Sequence, residues 1–504
     1  MWRILMENRT RINLLLYAAL SAITFIFLIM TYNPGISIPL FFLIQIAAIY
    51  FVIRNRGEVK NFRGILWMVP ILIISLNRFI SASSLWVPIN FLVIVGLYSV
   101  MILMLKGNLI INKLNLKGIL LVILNVFAPI IHFITPFRWI AERSKDTERT
   151  LIIKRILIGI LISVPSVLFL VFMLSSADMI FKNNFDTYLI WIEKVFEAFN
   201  FFNLIVGTIA GLYLFGHLYS VFEEKDNGIE NIITLNSNPF KVKGDIIILN
   251  ILLVSILFIY TIFMVIQFRY LFSAGELPDG LNYAEYARRG FFELVFLSVL
   301  NIGLILLITY LLKDKIYIEK NKWAIGTKMM LIYLCIITGT LLISSYYRMS
   351  LYDGAYGFTR LRILVYLFLF FEAVGLISTL IYILKHNFNL LFVYAVIGIG
   401  FYLTINIVKI DTVIAKRNID MYLSGQTESL DMDYLTSLSV DAAPEIIRLV
   451  DDDIKFVIKH KARNYLRDKY EHLSNQEYNW QSYNLSVDKA KKLLEGNKEK
   501  LLLK

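Results

Sequence analysis

The residues with the strongest chemical character gather in two stretches. Gln267 to Leu294 (QFRYLFSAGELPDGLNYAEYARRGFFEL) carries Tyr283, Tyr286, Arg288 and Arg289, and Tyr346 to Arg362 (YYRMSLYDGAYGFTRLR) carries Arg348, Tyr356, Arg360 and Arg362. Arginine presents a planar fork that matches phosphate or carboxylate, and the N-H groups at a helix start also favour anions. In the second stretch Gly354 and Gly357 interrupt the chain just before Thr359, Arg360 and Arg362 open a helix. One chemistry these residues can do is to hold an anionic small molecule or a lipid headgroup, a polyprenyl phosphate among them. The other is anchoring, with tyrosine and arginine at the water-lipid boundary and the arginines paired to Glu285, Glu293 or Asp353. Helical spacing aligns Glu285 with Arg289 and Arg289 with Glu293.

Glu372 is the one acid in the middle of a long apolar run between Arg362 and Lys385. A carboxylate there is expensive unless it is protonated, paired or hydrated. Two uses are open for it: a proton or cation relay, or a pair that holds the fold together with an arginine, Asn301 or Asn406.

Other site chemistries find no support. The 5 histidines, His132 and His217 among them, are not in HExxH-like spacing, and the 1 cysteine, Cys335, sits inside an apolar run. A metal centre, a disulfide framework and a bound cofactor are therefore not expected. Asp451, Asp452 and Asp453 lack the alternation and glycine of a calcium loop. There is no GxxxxGK[ST], no GxGxxG after a strand and no GxSxG elbow, so a non-enzymatic role is the expectation. A membrane transferase using lipid-linked sugars would call for acidic residues in the first outer loop, which here is only Asn33 to Gly35.

The elements that position these residues follow from composition. The chain of 504 residues is 58% hydrophobic and 17% charged, with mean hydropathy +0.66, whereas soluble domains carry about 25% charged residues. Apolar runs of about 20 residues, enough to cross a hydrocarbon core of ~30 Å as helix, recur from Asn13 to Val408. Hydropathy places spans at 13 to 31, 36 to 53, 65 to 80, 85 to 105, 153 to 174, 201 to 222, 246 to 268, 291 to 312, 323 to 345, 361 to 384 and 389 to 408. The fold class is all-α, a polytopic membrane bundle of about 11 spans, or 12 if residues 118 to 137 also cross. Residues 1–408 form the transmembrane domain and 409–504 a small helical soluble tail. The first run follows a basic start and lacks a small-x-small cleavage pattern, so it reads as a retained span.

Charge decides between the two topologies. Residues 409–504 hold 16 basic and 16 acidic side chains, so the net +12 belongs to the membrane portion. That excess reports topology and contact with membrane lipids rather than nucleic acid, which is not expected as a partner. If 118 to 137 enters and returns, 25 of the 34 basic residues before Lys409 fall on one side; if it crosses, the split is about 18 to 16. The first arrangement puts the N-terminus in the cytoplasm, the tail and both Tyr/Arg loops outside, and the protein in a bacterial cytoplasmic (inner) membrane.

The tail reads as short helices: Asp431 caps MDYLTSL, Asp441 precedes AAPEIIRLV with Pro444 in the first turn, and Ser486 caps VDKAKKLLEG, which Gly496 ends. Its neutral, capped, helical character suits a module that binds a protein partner.

Four stretches carry a resemblance to a known family: NYAEYARRGFFEL (Asn282 to Leu294), RMSLYDGAYGFTRLR (Arg348 to Arg362), LSSAD (Leu174 to Asp178) and DMDYLTSLSVDAAPEI (Asp431 to Ile446). The chain resembles the bacterial family of domain of unknown function 4173, which is related to the group numbered 4153. Members usually have Thr where this chain has Asn282 and Leu where it has Phe358. The resemblance implies a multi-pass membrane protein and carries no activity with it. Two functions remain as expectations: transport or lipid and anion handling through an outward-facing Tyr/Arg site with Glu372 deeper in, and a non-catalytic envelope sensor or assembly factor acting through the tail.

Overall fold

The computed structural model describes residues 2–142 and 201–502, except 32, 55–60, 111, 113, 223–243, 272–290, 314, 320–321, 386–388, 451–453 and 476–478, together with scattered helical positions from 152 to 174. Among the described residues it is all helix and turn, with no strand. Ten helices are long and apolar enough to cross a membrane. The spanning helices are α1 (Trp2–Leu28), α2 (Ser37–Arg54), α3 (Met68–Ile80, extended at its start by a 3-10 turn Phe62–Trp67) and α4 (Val87–Lys106). After the short α5 (Leu116–Ile131) and α6 (Thr135–Glu142) come α7 (Phe201–Phe222), α8 (Ile246–Leu271), α9 (Phe291–Leu311), α10 (Lys322–Tyr356), α11 (Arg360–Leu384) and α12 (Leu390–Ile407). These ten match ten of the eleven expected spans. The eleventh, 153 to 174, lies largely outside the described residues.

The ambiguous stretch 118 to 137 folds as a hairpin. Sixteen residues of α5 reach about 24 Å, and Asn115 starts the helix by accepting from the Gly118 N-H at 2.8 Å. On α5, Val126 O accepts from the Tyr213 hydroxyl and Asn125 meets Ser220. After the turn, Trp139 of α6 packs edge-on against Phe215 and Tyr219. Both arms lean on the same half of α7.

Two apolar cores fill the bundle. One joins α1, α2, α3, α4 and α7; the other joins α8, α9, α10 and α11. Helix α12 packs against both α3 and α11 and so ties them together. At its contact with α3 and α4, Asn90 Nδ2 donates to Asn406 Oδ1 at 2.7 Å, and Asn77 Nδ2 donates to Asn406 O at 2.8 Å.

The tail comprises α13 (Ile410–Leu423), α14 (Met432–Thr436), α15 (Ala443–Ile446), α16 (Phe456–Ser474), α17 (Leu485–Gly496) and α18 (Lys498–Leu502). Its core of Ile414, Ile419, Leu435, Leu449 and Leu466 runs on into Ile363, Leu364 and Phe401 of the bundle. Asp431 caps α14 as expected, accepting from Tyr434 N at 2.9 Å. The cap of α17 is Asn484, two residues before the expected Ser486, because its amide oxygen reaches the Ser486 and Val487 N-H groups while its NH2 turns to the bundle.

Candidate functional site

The corner between α10 and α11 is where the second Tyr/Arg stretch falls, and the tail closes over it. Helix α10 ends through Gly357 in the left-handed region at φ 71°, with its N-H bonded to Asp353 O at 2.8 Å, a conformation that favours glycine. A Cβ on Gly357 would also stand 2.9 Å from Asn418 Oδ1. That closeness has a purpose: Asn418 of α13 accepts from Phe358 N at 2.6 Å and donates to Phe358 O at 2.9 Å. One residue further on, Arg360 N donates to the Tyr434 hydroxyl at 2.9 Å.

Arg360 itself is held by a carboxylate from the same chain. Its Nε and Nη2 donate to Asp411 Oδ1 and Oδ2, both at 2.7 Å, the bidentate geometry for which arginine is suited. Asp411 is buried and also accepts from Ser439 N at 2.9 Å. Burial by itself raises the Asp411 carboxyl, but the Arg360 fork and the Ser439 N-H outweigh it and hold the group below the ordinary value of 3.8. Asp411 was not among the pairing acids anticipated for the loop arginines, since it lies 51 positions away.

The other residues of the second stretch are placed as follows. Arg362 Nε stands 3.4 Å from Asp353 Oδ1, its guanidinium lies 4.1 Å over the Tyr352 ring, and it donates to Gly357 O. Arg348 is buried and donates to Gln267 Oε1 at 3.3 Å. Tyr356 is exposed and leans on Tyr352. Tyr283, Tyr286, Arg288 and Arg289 lie outside the described residues, as do Ser175 to Asp178.

A cleft of about 810 Å³ opens between this corner and α13. The bundle lines it with Tyr346, Asp353 and Tyr366, and the tail with Arg417, Met421 and Gln426. Tyr346 and Tyr366 meet edge to face at 5.4 Å. Arg417 is exposed and enters no ion pair among the described residues, while neighbouring Asp420 pairs with Arg448 at 2.8 Å. The cleft thus offers aromatic walls, the carboxylates of Asp353 and Asp420, and in Arg417 a cation without an ion pair among the described residues. Sequence reading did not single out Arg417, which has no Tyr/Arg motif around it and gains its position only through the fold.

Glu372 lies where hydropathy put it, in α11 and nearly buried. Its partner is Ser298 of α9 at 2.6 Å. The anticipated partners are engaged elsewhere: Asn301 accepts from Tyr260, and Asn406 joins Asn77 and Asn90.

Fold and site define a multi-pass helical membrane protein whose C-terminal tail is built onto one end of its bundle. The chain belongs to the family described as Domain of unknown function (DUF4153), whose model matches residues 68–449. This is the related group of the resemblance noted above. The match runs from α3 through Leu449 and so takes in the bundle after α1 and α2 together with α13, α14 and α15. No curated protein and no solved structure matches the chain.

Proposed function

We propose that the protein handles an amphiphilic anionic molecule, with the acidic group on Arg417 and the apolar portion against the paired rings of Tyr346 and Tyr366. The observation that carries this reading is the cleft itself, where a guanidinium without an ion pair among the described residues faces aromatic walls at the end of a membrane bundle. A lipid headgroup and a free organic phosphate share this chemistry. Arg360 and Arg362 serve the site indirectly, by holding the corner against the tail. Arg288, Arg289, Tyr283, Tyr286, Arg348 and Tyr356 remain part of the proposed ligand region on the strength of their sequence motif.

The same reading places the cleft outside the cytoplasm. The tail packs on the turns after α1, α3 and α10, which lie at the opposite end of the bundle from Lys106 and Lys117. Basic loops favour the cytoplasmic side, which supports an extracytoplasmic tail in a bacterial inner membrane. A second reading, in which the tail recruits a protein partner, is favoured by the exposed Phe456 and Val457 at the start of the lysine-rich α16.

The test is lipid binding by the full chain in nanodiscs. One basic residue near an anionic surface is worth about 1 kcal/mol, so Arg417→Ala should weaken retention of anionic lipid about fivefold and leave zwitterionic lipid unchanged. Added inorganic phosphate that displaces the anionic lipid would point to the free anion as ligand. Unchanged anionic-lipid and phosphate binding in both Arg417→Glu and Tyr346→Ala would overturn the cleft reading and leave the partner surface.

A further inference from the structure

The middle of the second half-bundle holds a polar group of another kind. Glu372 is the central residue of α11, Asn301 is the central residue of α9, and Tyr260 sits just past the centre of α8. In spanning helices these positions lie near the middle of the hydrocarbon layer, where each polar atom needs a partner. The three are linked in two pairs. The Tyr260 hydroxyl donates to Asn301 Oδ1 at 2.7 Å, and Ser298, one turn before Asn301, meets Glu372 Oε1 at 2.6 Å.

Ser298 can serve both protonation states of this pair. Ser298 Oγ also lies 2.7 Å from Val295 O in its own helix. A hydroxyl has one proton to give, and a carbonyl can only accept. With that proton on Val295 O, the short contact to Glu372 is a hydrogen bond only if the carboxyl supplies the hydrogen. Each of the three oxygens is then served when Glu372 is the neutral acid. In the ionised form Ser298 turns its proton to Glu372 Oε1, and Val295 O keeps the N-H of Val299 that it holds within α9.

Two further atoms mark the site as incomplete. Glu372 Oε2 and Asn301 Nδ2 are both buried without a hydrogen-bond partner among the described residues. One is an acceptor and the other a donor, on facing helices and within a turn of the same contact. A water between them would complete both and give the carboxyl proton somewhere to go. Tyr394 of α12 is the titratable group near Glu372 among the described residues, and Cys335 of α10 lies near that Tyr394 in turn. Neither is a cation, and no lysine or arginine pairs with Glu372 among the described residues. Gly375, one turn along α11, leaves room for the Tyr394 ring, which a Cβ would meet at 3.0 Å.

We infer that Glu372, with Ser298 and Asn301, forms a proton-binding site at the centre of the bundle that exchanges with water. This stands apart from the cleft, and either can fail without the other. The step is a simple one: the carboxyl O-H gives its proton to a water or hydroxide, and Glu372 becomes a carboxylate that takes its hydrogen bonds from Ser298 and from the water that Asn301 holds.

The experiment is carbodiimide labelling of the full chain in liposomes, read by mass spectrometry of the peptide containing Glu372, because that reagent adds to protonated carboxyls in apolar surroundings. Labelling should occur at Glu372, fall as pH is raised, and be indifferent to sodium. Glu372→Gln should remove it and still fold, since an amide N-H can donate to Ser298 Oγ. Infrared difference spectra between acid and alkaline buffer provide the second reading, with a carboxyl C=O band that Glu372→Gln abolishes. Protection by sodium would replace the proton with a cation and overturn the inference. So would labelling that does not change with pH, or the absence of both labelling and the infrared band.

Discussion

At the scale of single residues, the Arg360-Asp411 pair shows how an arginine suited to a ligand can be occupied by its own chain. Removing one member leaves the other to be solvated, and the two are unequally placed: the Arg360 side chain is 32% exposed, that of Asp411 2%. Breaking a buried pair from one side costs about 3 to 5 kcal/mol, and the full amount is expected only for Arg360→Ala, which strands the buried carboxylate. Asp411→Asn leaves a half-hydrated guanidinium and keeps an acceptor for Ser439, so it should cost less. Proteolysis rates of the tail in the intact membrane protein will rank the two, and an equal effect would show that the corner is held by Asn418 and Tyr434 instead. The pH dependence has a definite sign. A carboxyl held below 3.8 contributes stability that is present in full above that value and is lost as pH falls through its folded value. Docking of the tail should therefore be flat from neutral to weakly acidic pH and loosen only under stronger acid, and Asp411→Asn should abolish that acid step. Sequence reading recognised the fork of Arg360 and missed its carboxylate, because local spacing cannot register a partner 51 positions away.

At the scale of elements, the bilayer made most of the architecture legible. A span must be apolar over a fixed length, so ten helices among the described residues could be placed from hydropathy alone. What hydropathy does not encode is which helices touch. Helices α1 and α7 pack closely because Gly207 and Gly211 are spaced four apart and face Ala18 and Ala22, a small-xxx-small arrangement that sequence could have offered. A Cβ on Gly211 would lie 2.5 Å from Ala18 O and 2.9 Å from Ala22 Cβ. The first of these is backbone and cannot swing aside. Gly211→Val should then push α1 from α7 and destabilise the protein by about 1 to 3 kcal/mol, seen as a lower melting temperature in detergent. Gly303→Val in α9 serves as the control, since nothing lies within 4 Å of a Cβ there. Equal losses in the two would mean that valine in a spanning helix, not the approach of α1, is what the protein fails to tolerate.

At the scale of the whole molecule, the tail and the bundle form one continuous structure. Asp441 is buried and accepts from Ser81 Oγ at 2.6 Å and from Ala82 N at 3.0 Å, which binds the tail to the turn after α3. Asn484 donates to Arg78 O and Ser81 O at the same turn. At the turn after α1, Gly35 N bonds to Gln481 O and Ile36 N to Tyr483 O, both at 2.9 Å, in a space where a Cβ on Gly35 would come within 2.3 Å of Tyr483 O. With the turn after α10, three turns far apart in sequence thus share one end of the bundle with the tail, through contacts between distant residues that local spacing does not register. Sidedness follows. Ser429 in the tail and Asn108 after α4 are both exposed and lie at opposite ends of the bundle. In a Cys335→Ser background, a cysteine at Ser429 should react with a membrane-impermeant maleimide added to intact cells, and a cysteine at Asn108 only after the membrane is opened. The reverse pattern would leave the fold intact and turn the protein over, bringing the cleft to the cytoplasm. Labelling of both from one side would contradict the alternation of the helices, because α4 ends and the tail begins at opposite faces of the same bundle.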